Sequence, residues 1–178
     1  MHTNHRPAEV LRDALTAGAI VCVATMAAAA LRGRADSGSA VAPINATSHV
    51  VHGAEAGEVE EADLRHTALG VAINAGASML WAAVYEGLFG RAGKRGGLAR
   101  PLLGGAAVAA LAYLVDYHLV PKRLTPGWEA RVSGRSLAMI FASLAASLPI
   151  WSLLRRRGSE SASPTPRPLR RRSGRISG

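Results

Sequence analysis

Large aromatic side chains and cysteine are both scarce in this 178-residue chain. Trp, Tyr and Phe together supply 4% of the residues, too few to fill a water-soluble core of this size in the usual way. The single cysteine, Cys22, excludes an intramolecular disulfide and any metal site built on paired thiolates. Neither a GxSxG nucleophile elbow nor an HExxH pair is present. Gly87–Lys94 falls short of a phosphate loop, because its first glycine is misplaced and Arg95, not Ser or Thr, follows the lysine. Long polar segments are scarce too: Arg32–His66, the longest polar connection, is too short to make a typical independent domain. Asn45–Ala46–Thr47 matches a glycosylation acceptor formally, in a pattern short enough to occur by chance.

What the chain has in quantity is apolar sequence nearly free of charge, interrupted only by Glu86 near the end of the second run and Asp116 near the end of the third. Runs at about 14–31, 67–88, 101–120 and 136–154 dominate it. A helix rises about 1.5 Å per residue, so runs of this length match a hydrocarbon core roughly 30 Å thick. The expected fold class is therefore all-α, an integral membrane four-helix bundle. One four-span domain covers 1–157, and 158–178 forms a disordered, Ser-, Pro- and Arg-rich basic tail. The first run is longer than a signal-peptide core and has Asp13 at its entrance, so it reads as a retained span. Ala and Gly are abundant, which suits helices that associate in lipid by close backbone approach.

The net charge of +9 would suit nucleic acid, but its distribution points to lipid, and no nucleic-acid partner is expected. With four spans, 14 of the Lys and Arg residues fall on the side of the two termini and 7 on the other. The positive-inside rule then places both termini in the cytoplasm. The first loop, with Asp36, Glu55, Glu58, Glu60, Glu61 and Asp63, faces outward. Trp128 and Trp151 fall near the expected boundaries, where interface aromatics belong.

Within the runs, small residues recur every four positions: Gly70, Asn74, Ser78 and Ala82 in the second, and Gly134, Ala138, Ala142 and Ala146 in the fourth. Such ladders predict packing faces, within the bundle or in a homo- or hetero-oligomer. Pro149 should bend the fourth span. Pro43–Gly53 reads as a short outer-surface helix, with Pro43 at its start and Gly53 as its cap. Asn45, His49 and His52 would form its polar face.

Polar groups at membrane depth are costly and mark candidate sites. Asn74, roughly 13 Å inside by helical rise, reads as an interhelical hydrogen-bonding residue, and Glu86 as one half of an ion pair. Asp116 stands with Tyr117, His118, Lys122 and Arg123 near the outer end of the third span. His49, His52, Asp116 and His118 are the candidate metal or proton site, if the short helix lies over the second and third spans. No histidine lies well inside a run, since His118 falls near the end of the third, which argues against haem ligation, and the sequence assigns neither a cofactor nor a catalytic residue.

Ala42–Gly53 (APINATSHVVHG), Leu64–Thr67 (LRHT) and Val115–Glu129 (VDYHLVPKRLTPGWE) resemble segments of a group of small bacterial inner-membrane proteins. The resemblance covers roughly residues 10–155. It implies a four-span architecture in a bacterial cytoplasmic membrane and brings no known activity with it. The excess of Arg over Lys suits a GC-rich bacterial genome.

The expected function is thus that of a non-enzymatic membrane component or assembly partner. The alternative is a small metal- or proton-linked transporter using the His/Asp cluster.

Overall fold

The computed structural model describes residues 7–90 and 97–161. All regular structure among them is helical. Four helical stretches are long and apolar enough to cross a membrane: Leu11–Ser37, Thr67–Gly90, Ala99–Leu119 and Gly134–Gly158. The first lies within α1 (Pro7–Ser37), and the second comprises α4 (Thr67–Tyr85) and a wide π turn at Glu86–Gly90. The third comprises α5 (Ala99–Leu114) and a second π turn at Val115–Leu119. The fourth joins α6 (Gly134–Ser147) to α7 (Ile150–Ser161).

Pro149 interrupts the fourth stretch as expected. Its missing N–H breaks the helical ladder at Leu148–Pro149. The vacated neighbourhood is filled by α5, since a Cβ at Gly105 would collide with the Ala145 carbonyl oxygen. α7 continues to Ser161, past the expected domain boundary at 157. The rest of the expected tail, 162–178, lies outside the described residues, as does Arg91.

The four stretches are apolar around most of their circumference, so exposure rather than pattern distinguishes their faces. Val23, Leu31, Leu80, Leu103 and Leu111 point away from the protein. α1 is the centre of the packing, lying against α4 on one side and α6 on the other, while α5 lies mainly against α6. The seam between α4 and α5 is the loosest of these. α1 contributes mostly small groups to its buried stripe (Ala14, Ala17, Val21, Thr25, Ala29), as does α5 (Gly104, Gly105, Ala109, Ala112). Between them α6 inserts Leu137, Ile140, Phe141 and Leu144.

The two predicted small-residue ladders have opposite fates. Gly70, Asn74, Ser78 and Ala82 are buried, so the α4 ladder is consumed within the chain. Gly134, Ala138, Ala142 and Ala146 are all exposed, because α6 turns its large residues inward. α5 has a buried small-residue stripe that neither ladder anticipated.

At one end, the long connections fold into a cap. The expected single helix over Pro43–Gly53 is two: α2 (Ala42–Ala46) and α3 (His49–His52), separated by a turn. Pro43 opens the first and Gly53, at φ 83°, closes the second, as the sequence indicates. The break between them follows from Thr47 and Ser48. The Ser48 hydroxyl donates to Asn45 O at 2.7 Å and that of Thr47 to Pro43 O at 3.4 Å, a competition with the helical ladder typical of these residues.

Asn45, fully buried, is the keystone of the cap. Its amide donates to Val59 O and Glu61 O, both at 2.9 Å, and accepts from the Thr67 hydroxyl at 2.6 Å. α2 reaches the first turn of α4 because position 70 is glycine: any Cβ there would strike the Ile44 carbonyl oxygen. Asp63 prepares that turn. Its carboxylate accepts from the His66 backbone N–H at 2.5 Å and faces His66 Nδ1 at 2.7 Å, which holds its pKa below the ordinary value.

The connection from α5 to α6 completes the cap. His49 Nδ1 lies 2.9 Å from Ala46 O and its Nε2 lies 3.3 Å from Lys122 O, while Arg123 Nε donates to Val50 O at 3.2 Å. Gly127 adopts φ 80° and passes so close to α2 that a Cβ would sit 2.5 Å from Ala46 O. Ser133 then caps α6, accepting from Ser136 N at 3.3 Å, while Asp36 of α1 accepts from Ser133 N at 2.8 Å.

Candidate functional site

The polar groups within the four helices collect at two levels. At the end opposite the cap, Arg155 of α7 reaches between two carboxylates. Its Nη2 lies 2.6 Å from Glu86 Oε2, and its Nη1 pairs with Asp13 of α1. Asp13 also accepts from the Trp151 indole at 3.0 Å. Glu86 is thus in an ion pair, as expected of it, with a partner almost 70 residues away. Asp13 and Arg155 each carried a signal, a charge at the edge of an apolar run, but nothing in the spacing joined them. Trp151 faces this cluster and only half meets solvent.

Nearer the cap lies a partly open cavity of about 80 Å³ between the helices and the cap, room for on the order of six waters. Its polar lining comes from Thr25 of α1, Asn74 and Ser78 of α4, Thr47, Thr125 and Asp116. Its aromatic lining comes from Trp81, Trp128 and Phe141. Asn74 donates to Thr25 Oγ1 at 3.2 Å and lies 3.5 Å from Cys22 Sγ, so it bridges α4 to α1 as an interhelical hydrogen-bonding residue should. Its Oδ1 accepts no hydrogen bond from the described residues. Asp116, half-buried in the π turn that ends α5, has neither a hydrogen bond nor an ion pair with any described residue. π turns of this kind recur at functional sites because they re-aim a side chain.

Trp128 was placed by the sequence at a membrane boundary. It is instead buried in the cavity wall, its ring 6.1 Å from Phe141, and its indole N–H has no acceptor among the described residues. Gly127 is what turns it inward. Beyond the cavity a wider cleft of about 460 Å³ opens under the cap, lined by His49, Tyr117, Lys122 and Glu129 among others. Glu129 is held there by the Tyr117 hydroxyl at 3.0 Å and the Thr125 hydroxyl at 2.8 Å. Thr125 lines both spaces and so separates cleft from cavity.

The candidate metal residues go to four different surroundings. His49 faces two carbonyl oxygens beside the cleft. His52 packs edge-on against His66 at 4.9 Å, and His118 is exposed beside Tyr113 at 5.6 Å. Asp116 alone lines the inner cavity. Among the described residues no three His, Cys, Asp or Glu side chains come together as a metal site. The physical reason is that α2 rather than α3 docks on α4, so His49 and His52 are not carried over the cavity that Asp116 lines. No known family, curated protein or solved structure matches this chain.

Proposed function

We propose that the chain is a non-enzymatic component of a bacterial cytoplasmic membrane. It is a four-span bundle with both termini cytoplasmic, and it associates laterally with a second copy or another membrane protein. The exposed ladder on α6 carries the proposal: Gly134, Ala138, Ala142 and Ala146 share one face, and all four are exposed. In lipid, a face of small residues gains most when a second helix approaches closely. The comparable stripes of α4 and α5 already have their partners inside the chain.

Four apolar stretches and the outward-facing leucines support the membrane placement. The excess of Arg and Lys on the Arg155 side supports a cytoplasmic location for that end and an outer location for the cap. The structural employment of the polar groups favours a non-enzymatic role, since His49 joins two loops and Asp13 and Glu86 anchor Arg155. The alternative of a metal-linked transporter draws no support from histidines held in separate surroundings.

Single-molecule photobleaching in bilayers, with cross-linking of co-purifying proteins, tests the association. Wild-type protein should be oligomeric or partner-bound, and Ala138→Leu with Ala142→Leu should abolish this while leaving the fold intact. A wild-type chain that is strictly monomeric and without a partner would overturn the proposal.

A further inference from the structure

Asp116 is a half-buried carboxylate near the end of the third apolar stretch, lining an aromatic-walled pocket, with no ion pair to any described residue. The ionised form is costly there unless a bound cation supplies the positive charge, the alternative being protonation of the carboxyl group. A divalent metal is a poor candidate, because hard cations require several oxygen ligands and one carboxylate stands alone here. An ammonium group is better matched. It needs a single carboxylate for charge and aromatic faces for its alkyl surface, the recognition used by cation–π cages. The chamber provides those faces in Trp81, Trp128 and Phe141, all buried. The Asn74 Oδ1, free of other hydrogen bonds, provides an acceptor for an N–H.

We infer that the cavity between Asp116, Asn74, Trp81, Trp128 and Phe141 is a binding site for a small ammonium group. Its volume admits such a group but not a large organic body. Two sources share this chemistry. A free amine would enter by the cleft under the cap, past Thr125, which lines both spaces. The ammonium headgroup of a lipid would enter through the loose seam between α4 and α5. The inference uses the membrane placement proposed above and is independent of lateral association, so it is tested on detergent-dispersed monomer.

Trp81 and Trp128 make the site its own reporter. Full-length protein is titrated with tetramethylammonium and with ethanolamine while tryptophan fluorescence is followed, and 3,3-dimethylbutan-1-ol serves as the uncharged control. In parallel, native mass spectrometry compares retention of phosphatidylethanolamine and phosphatidylglycerol. A saturable response to the free cations, at least tenfold weaker in Asp116→Asn and absent for the neutral alcohol, supports the site and a soluble amine. Preferential retention of phosphatidylethanolamine, lost in Asp116→Asn, supports the site and a lipid source. Phe141→Leu, which keeps charge and both reporters, should weaken binding several-fold and serves if Asp116→Asn does not fold. Neither free cation nor ammonium lipid being preferred by wild-type protein, or equal binding by the variants, would overturn the inference.

Discussion

Asn45 shows how much one side chain does in the cap. A buried amide with both N–H groups on carbonyl oxygens and its oxygen on a hydroxyl is fully satisfied. Its removal takes the counterpart from the Val59 and Glu61 carbonyls and the Thr67 hydroxyl, part-buried bonds whose loss costs about 1 kcal/mol each. Asn45→Ala should therefore destabilise the folded protein by about 2–3 kcal/mol, measured by reversible unfolding in mixed detergent. Asn45→Asp should be at least as damaging despite its near-identical shape, because it sets a carboxylate against the carbonyls of Val59 and Glu61. A milder effect for Asp than for Ala would show that packing, rather than donation, holds the cap. From the sequence Asn45 was assigned to a helix face with His49 and His52. Nothing local could reveal that its partners lie at Val59, Glu61 and Thr67.

Between elements, the decisive quantity is how closely backbones approach. Gly70 lets the end of α2 lie on α4, whereas Gly76, less than two turns further along and on another face, meets open space. Alanine at 70 must displace the Ile44 carbonyl, and overpacking of this kind costs about 1–3 kcal/mol. Alanine at 76 meets nothing and should stabilise the helix by up to about 1 kcal/mol through propensity. Thermal melting of Gly70→Ala and Gly76→Ala in one detergent should shift in opposite directions. A shared direction would show that helix propensity outweighs the α2–α4 contact. The four-residue ladder containing Gly70 was legible in the sequence, and its burial follows. The ladder on α6 was equally legible yet stays open. A period of four identifies a helix stripe but not whether the chain itself occupies it.

Across the whole molecule, Arg155 fastens three of the four long stretches, joining Asp13 of α1 and Glu86 after α4 to α7. Removing one partner from a largely buried ion pair strands the others, typically at a cost of 3–5 kcal/mol, whereas neutralising both sides costs much less. Arg155→Gln should lower stability by about 3 kcal/mol, and adding Glu86→Gln should restore part of it. A double-mutant cycle of unfolding free energies measures this directly. Additive effects of the two substitutions would mean that the pair does not couple the stretches.

The sequence by itself determined the number and extent of the apolar helical stretches, the break at Pro149, and the ends of the cap helices at Pro43 and Gly53. Those properties are local: chain length against helical rise, a missing N–H, a glycine at positive φ. The sequence also singled out Asn74, Glu86 and Asp116, because charge or amide in an apolar run is conspicuous wherever it falls. Only the tertiary structure decided their partners. It joined Glu86 to Arg155 and Asn74 to Thr25, left Asp116 facing a cavity, and turned Trp128 inward at Gly127. It also held His49, His52 and His118 in separate surroundings. Pairing in space depends on which faces of apolar, nearly featureless helices meet, and that is settled by the summed fit of small and large side chains across the entire chain.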